Sequence, residues 1–97
     1  MIIQGLNFEG PWSLGTSFND VPGVYVVFTG QAYLDVGETD KLGQRINGDN
    51  HERKPQWLRS AGMSPVQIAF LKVAEQQQRL NIESNLRTAL RPLCGDR

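Results

Sequence analysis

Between the breaks at Pro22-Gly23 and Gly30-Gln31 lies an uninterrupted apolar, β-branched run, Val24-Tyr25-Val26-Val27-Phe28-Thr29. A short run of this kind bounded by turn formers reads as a strand. Ala32-Tyr33-Leu34-Asp35-Val36-Gly37 follows at once, so the two segments predict a β-hairpin around a glycine-containing turn. Strict alternation along the second strand puts Tyr33, Asp35 and Gly37 on one polar face and Leu34 and Val36 on the other. By the same rule Tyr25 shares its face with Val27.

The rest of the chain is arranged around that hairpin. Thr39 or Asp40 is the expected N-cap of a short helix, Lys41–Ile46, with Leu42 and Ile46 spaced for a core. A second helix over Pro55–Ala61 has proline at its first position and Gly62 as its stop, with Trp57 and Leu58 as the buried side. Val66–Val73 is apolar on both faces, which predicts a strand central in its sheet. Ala74–Arg91 has helical spacing, with Ile82, Leu86, Ala89, Leu90 and Leu93 as the core stripe and Pro92 beyond its end. The first twenty residues are broken up by Gly5, Gly10-Pro11 and Gly15 and read as a loop-rich lead-in with a short strand at Ile2–Leu6 or Leu6–Phe8. A chain of 97 residues has room for one core. The expected architecture is therefore a single α+β domain over 1–97, with a lead-in over 1–21 and a core over 22–92. In it a three-stranded sheet, the hairpin plus the central strand, packs against helices.

Composition excludes several classes. No apolar run approaches the roughly 18 residues of a membrane span, and the start has no basic region of the kind that opens a signal peptide. One cysteine, Cys94, allows neither an internal disulfide nor a cysteine-based zinc site, and it fits a reducing, cytoplasmic compartment. Ten basic and ten acidic side chains give a formal net charge of zero, but they are unevenly placed. Residues 1–40 contain no Lys or Arg, whereas residues 41–97 carry all ten, including Lys41, Arg45, Arg53, Lys54 and Arg59 in one short stretch. A basic half can present an electropositive face to phosphate even when the total is neutral.

The candidate reactive groups are Tyr25, Asp35, Arg45, His51 and Glu83. Taken singly each has an ordinary structural reading: a packed tyrosine, a solvated arginine, a histidine without a ligand-spaced partner, a helix-surface pair of Glu83 with Arg79 or Arg87. Their order carries more. Gly23-Val24-Tyr25, then Asp35-Val36-Gly37, then Thr39, Leu42 and Arg45, then Glu83 ahead of Pro92, resembles the GIY-YIG nuclease superfamily over about Pro22 to Pro92. The second motif departs from the family pattern, with Asp35 where tyrosine is usual.

The resemblance implies a metal-dependent endonuclease acting on DNA phosphodiester bonds. Tyr25 takes the place of the general base, Arg45 that of the arginine stabilising the phosphoryl transition state, and Glu83 that of the carboxylate ligand of one Mg²⁺ or Mn²⁺. His51 stands two residues past the family's histidine position, as a candidate proton shuttle. Asp35 could serve as base or hold the metal through water, with Tyr33, about 7 Å away by strand rise, as a substitute phenol. Lys41, Arg53 and Lys54 are candidate DNA contacts. The DNA would be branched or flexible, or specificity would come from a homodimer or a partner protein. Two other classes remain open: a weak or inactive nucleic-acid-binding module of the same fold, and a structural or protein-interaction domain.

Overall fold

The computed structural model describes residues 1–48 and 53–94. The chain runs β1 (Ile2–Ile3), β2 (Leu6–Asn7), β3 (Glu9–Ser13), β4 (Gly23–Phe28), β5 (Tyr33–Thr39), α1 (Leu42–Asn47), α2 (Lys54–Ala61), β6 (Gln67–Lys72) and α3 (Gln76–Leu90). A four-stranded antiparallel sheet in the order β3-β6-β4-β5 is joined by a separate β1-β2 hairpin. The α+β architecture is as expected, with one strand more in the sheet than the three predicted. The extra strand, β3, comes from the lead-in. Its Glu9-Gly10-Pro11-Trp12-Ser13 sequence lacks alternation, and proline is tolerated because β3 lies at a sheet edge.

Both inner strands bury both faces, as their apolar runs demand. One face carries Tyr25, Val27, Ile68 and Phe70 against Leu42, Ile46 and Trp57 of the first two helices. The other carries Val24, Val26, Val36 and Ala69 against Leu86 of α3 and Ile3 and Phe8 of the N-terminal hairpin.

In the β4-β5 register Phe28 pairs with Tyr33 and Val27 with Asp35, which leaves Leu34 as an extra, bulged residue. Directly paired residues share a face, so Tyr33 lies beside Phe28, with ring centroids 6.4 Å apart, and opposite to Asp35. Leu58 and Leu93, assigned to the core, are exposed, and Ala89 with them. The buried face of α3 is Arg79, Glu83, Leu86 and Arg87 instead. That helix lies along the edge strand β5, where it meets carbonyl and carboxylate oxygens as well as apolar side chains. Arg87 Nη2 donates to the Val36 carbonyl, and just past the helix the Leu93 and Cys94 N–H groups donate to Tyr33 and Leu34 carbonyls at 3.2 and 2.7 Å. An otherwise open sheet edge is thereby covered.

The start of α1 is also held from a distance. Thr39 Oγ1 accepts the Lys41 N–H at 3.0 Å, but Lys41 occupies the cap position without a side-chain capping bond of its own. The first free helix N–H groups are taken by the lead-in: Leu42 donates to Val21 O, Gly43 to Asn19 O, and Gln44 to Asp20 Oδ1 at 2.8 Å. Asn47 fastens the other end, accepting from Phe18 N and donating to Thr16 O. The helix that carries Arg45 is thus positioned by residues 16–21.

Candidate active site

Tyr25 sits in the middle of β4, fully buried, and its partner across the hairpin is Gly37. With no side chain at Gly37, the phenol ring lies over the backbone there, and its hydroxyl reaches the near side of α1. Arg45, one residue before the buried Ile46, donates from Nε to Tyr25 Oη at 3.1 Å. Burial pushes the Tyr25 pKa up from its ordinary value, and the Arg45 hydrogen bond and charge pull against that rise. Arg45 also lines an open cleft of about 510 Å³ together with Glu38, Thr39, Asp40, Lys41 and Gln44. The start of α1 and the end of β5 therefore form an open, polar-lined depression with an arginine–phenol pair at its side.

Asp35 lies nearby but does not face that depression. It is 0% exposed. Its carboxylate accepts from the Val36 N–H at 2.8 Å, Trp57 Nε1 at 2.8 Å, Arg87 Nη2 at 2.6 Å and Arg53 Nη1 at 3.2 and 3.3 Å. A buried carboxylate is tolerable only when its charge and lone pairs are matched in this way. The acid thus ties β5 to α2 and to α3. Trp57 in turn packs edge-on against Tyr25, with centroids 6.3 Å apart.

Along α3, Arg79, Glu83 and Arg87 are spaced one turn apart and all three are buried. Arg79 donates from Nε to Glu38 at 3.0 Å and from Nη1 to the Val73 and Ala74 carbonyls. Arg87 is bound to Asp35 and Val36. Glu83 lies between these two anchors, so the register of α3 sets it against the stretch of β5 that contains Gly37. Both neighbouring arginines hold carboxylates of β5, Arg79 that of Glu38 and Arg87 that of Asp35. Among the described residues no group of three or more His, Cys, Asp or Glu side chains forms a ready-made metal cage. A hard divalent ion that retains most of its water needs only one or two carboxylates, and Glu83 is a donor of that type.

No family model matches the sequence, and no curated protein matches it. Solved structures do. A point mutant of the GIY-YIG N-terminal endonuclease domain of UvrC from Thermotoga maritima, bound to its catalytic divalent cation, matches with a TM-score of 0.65 at 20% identity, over 81% of this chain and 87% of that one. The same domain bound to magnesium matches with a TM-score of 0.62 at 20% identity, over 77% and 83%. The chain has the GIY-YIG fold.

Within this GIY-YIG fold, Tyr25 and Arg45 are in direct contact, and Asp35 is within one side chain of them through Trp57. Glu83 is on the helix that flanks β5. Lys41 is exposed at the cleft, while Arg53 and Lys54 stand half-buried at the start of α2. His51 lies outside the described residues. Sequence reasoning missed Gly37 as the seat of the Tyr25 ring, and Trp57, Arg79 and Arg87 as polar partners of β5. For Gly37 there was a signal, since a glycine opposite an aromatic residue in a hairpin marks a close approach. For the arginines there was none, because their partners are 41 and 52 residues away.

No helix is long and apolar enough to cross a membrane among the described residues.

Proposed function

We propose that this protein is a metal-dependent endonuclease that hydrolyses DNA phosphodiester bonds. The observation that carries the reading is the Arg45–Tyr25 hydrogen bond at the side of an open cleft in a GIY-YIG fold. Arg45 brings a permanent charge and a forked set of donors to the phosphoryl oxygens, where charge builds in the transition state. Tyr25 acts as the general base. Its raised pKa keeps the proton on the free protein at neutral pH, so the phenol needs the charge of Arg45, and of the bound ion, to take part in proton transfer. Glu83 would hold one Mg²⁺ or Mn²⁺, which when bound supplies a water of lowered pKa and neutralises phosphoryl charge. Lys41, Arg53 and Lys54 grip the DNA backbone on either side, and the approach of a flexible or branched DNA suits so open a cleft.

A second reading, a module of this fold that holds nucleic acid without cutting it, is favoured by Asp35, whose carboxylate is taken up by internal partners. Incubating supercoiled plasmid with the protein and Mg²⁺, Mn²⁺ or EDTA separates the two. Nicking in either metal and none in EDTA is the expected result. Salt-sensitive binding with intact plasmid under both metals would select the second reading.

A further inference from the structure

A pocket of about 270 Å³ opens between β3, residues 16–21 and the start of α1. Its floor is Phe70 and Leu42, both buried. Its walls are the half-buried rings of Trp12 and Phe18, set at 74° to each other with centroids 5.7 Å apart. A flat ring laid on one of them meets the edge of the other, and aromatic groups favour both contacts. The charged residues of the lining, Glu9 and Lys72, stand 4.0 Å apart and offset each other, so the interior suits a neutral group. Asn19, at the exposed rim, carries an amide that both donates and accepts. The volume falls just below the roughly 300–1,000 Å³ of whole-ligand pockets, room for one ring system rather than a whole nucleotide. Two observations place this pocket beside the cleft. Consecutive residues at the start of α1 line the two, Lys41 the cleft and Leu42 the pocket. Phe70 also pairs with Tyr25 between β6 and β4 on the same face, so the floor adjoins the ring whose hydroxyl Arg45 holds.

We propose that this pocket takes one unstacked base of the DNA strand whose phosphate lies at Arg45, so that the substrate is DNA with an unpaired base beside the cleaved bond. The identity of the ligand rests on the nuclease reading. Stacking on Trp12 or Phe18 is open to any base, because each has a π-face. An unpaired base is also the one that costs least to draw out of a duplex.

The test uses the full chain in EDTA and two fluorescein-labelled duplexes of equal charge, one with a single bulged thymidine and one with an abasic nucleotide in its place. Anisotropy gives both affinities. The parent is expected to hold the thymidine bulge about 5- to 150-fold more tightly, the usual effect of one stacked base. Trp12→Ala is expected to bring the two affinities together with the salt slope unchanged, since no phosphate contact is lost; Trp12→Phe should retain the preference. Equal affinities in the parent overturn the proposal. So does a preference that survives Trp12→Ala while the melting temperature falls, the mark of a side chain that only packs. Should Trp12→Ala fail to fold by circular dichroism, photocrosslinking of a 5-iodouracil bulge to the parent decides. A crosslink on Trp12 or Phe18 is expected, and crosslinks confined to other residues overturn the pocket. Nicking in Mg²⁺ or Mn²⁺ is read separately: a base preference without nicking keeps the pocket and overturns the nuclease reading, and nicking without a base preference does the reverse. Failure to bind either duplex overturns the pocket, and nicking then decides the nuclease reading alone.

Discussion

Replacing Gly37 by alanine puts the geometry of the candidate site under direct stress. Gly37 pairs with Tyr25 across the hairpin, and the two share a face. A Cβ at Gly37 would stand 2.8 Å from Tyr25 Cε1 and closer still to Cζ and Oη. The ring has little room to yield, being fully buried against Trp57 with its hydroxyl held by Arg45. Overpacking of this kind costs about 1–3 kcal/mol. Displacing the hydroxyl from Arg45 adds about 1 kcal/mol, the net worth of an ordinary hydrogen bond rather than of a buried charged one, because Arg45 is only half-buried. A total of about 2–4 kcal/mol corresponds, for a domain of this size, to a fall in Tm of roughly 10–25 °C. Gly30→Ala is the matched control: no atom lies within 4 Å of its Cβ position, and its effect should stay within about 0.5 kcal/mol. Thermal unfolding followed by circular dichroism measures both. If Gly37→Ala melts within about 3 °C of the parent and still cleaves at the parent rate, Tyr25 is not seated on Gly37.

Other changes probe the remaining supports. Asp35→Ala leaves Arg87 buried without its counter-charge and should destabilise by about 3–5 kcal/mol in urea unfolding; a loss below about 1 kcal/mol would show that the cluster is not held as described. Folding raises the Tyr25 pKa above its unfolded value near 10. The folded chain therefore keeps a proton that the unfolded chain releases, and this contribution to stability is complete below about pH 10 and declines as pH rises past it. In a Tyr33→Phe background, absorbance near 295 nm should show Tyr25 ionising only at still higher pH, whereas ionisation at or below the ordinary value would contradict the burial argument. Asp20→Ala removes the acceptor for the Gln44 N–H and should cost about 1 kcal/mol, as capping losses do. It should also slow cleavage, because the helix carrying Arg45 loses its anchor; an unchanged rate would show that residues 16–21 do not position Arg45.

The hairpin, β6 and α3 could be read from the sequence because each has a clean period or an unbroken apolar run, and local propensity agrees with burial. Three features could not. β3 contains Gly10-Pro11 and pairs with a strand more than fifty residues downstream, so no local pattern marks it. The bulge at Leu34 breaks the period of two, which is why Tyr33 and Asp35 were expected on one face and stand on opposite ones. α3 was read by an apolar stripe, but its neighbour is a sheet edge rich in oxygen atoms, which draws in Arg79 and Arg87 and leaves Ala89 outside. At the candidate site, motif order singles out Tyr25 and Arg45, and the two side chains are in contact. The surroundings of Asp35 were not, since its arginine partners lie 18 and 52 residues away.

In the proposed nuclease Arg45 and Glu83 serve phosphodiester cleavage rather than packing alone. Single-turnover cleavage of an end-labelled duplex at saturating Mg²⁺, by the parent, Arg45→Ala and Glu83→Gln, separates the two roles. Metal-dependent cleavage by the parent is expected, with rates lower by about 10²–10³-fold for Arg45→Ala, the usual effect of removing a preorganised transition-state donor. Glu83→Gln should require far more Mg²⁺ or fail to cleave, with both variants folded by circular dichroism. Cleavage at the parent rate by either folded variant would show that the replaced side chain has no part in the reaction.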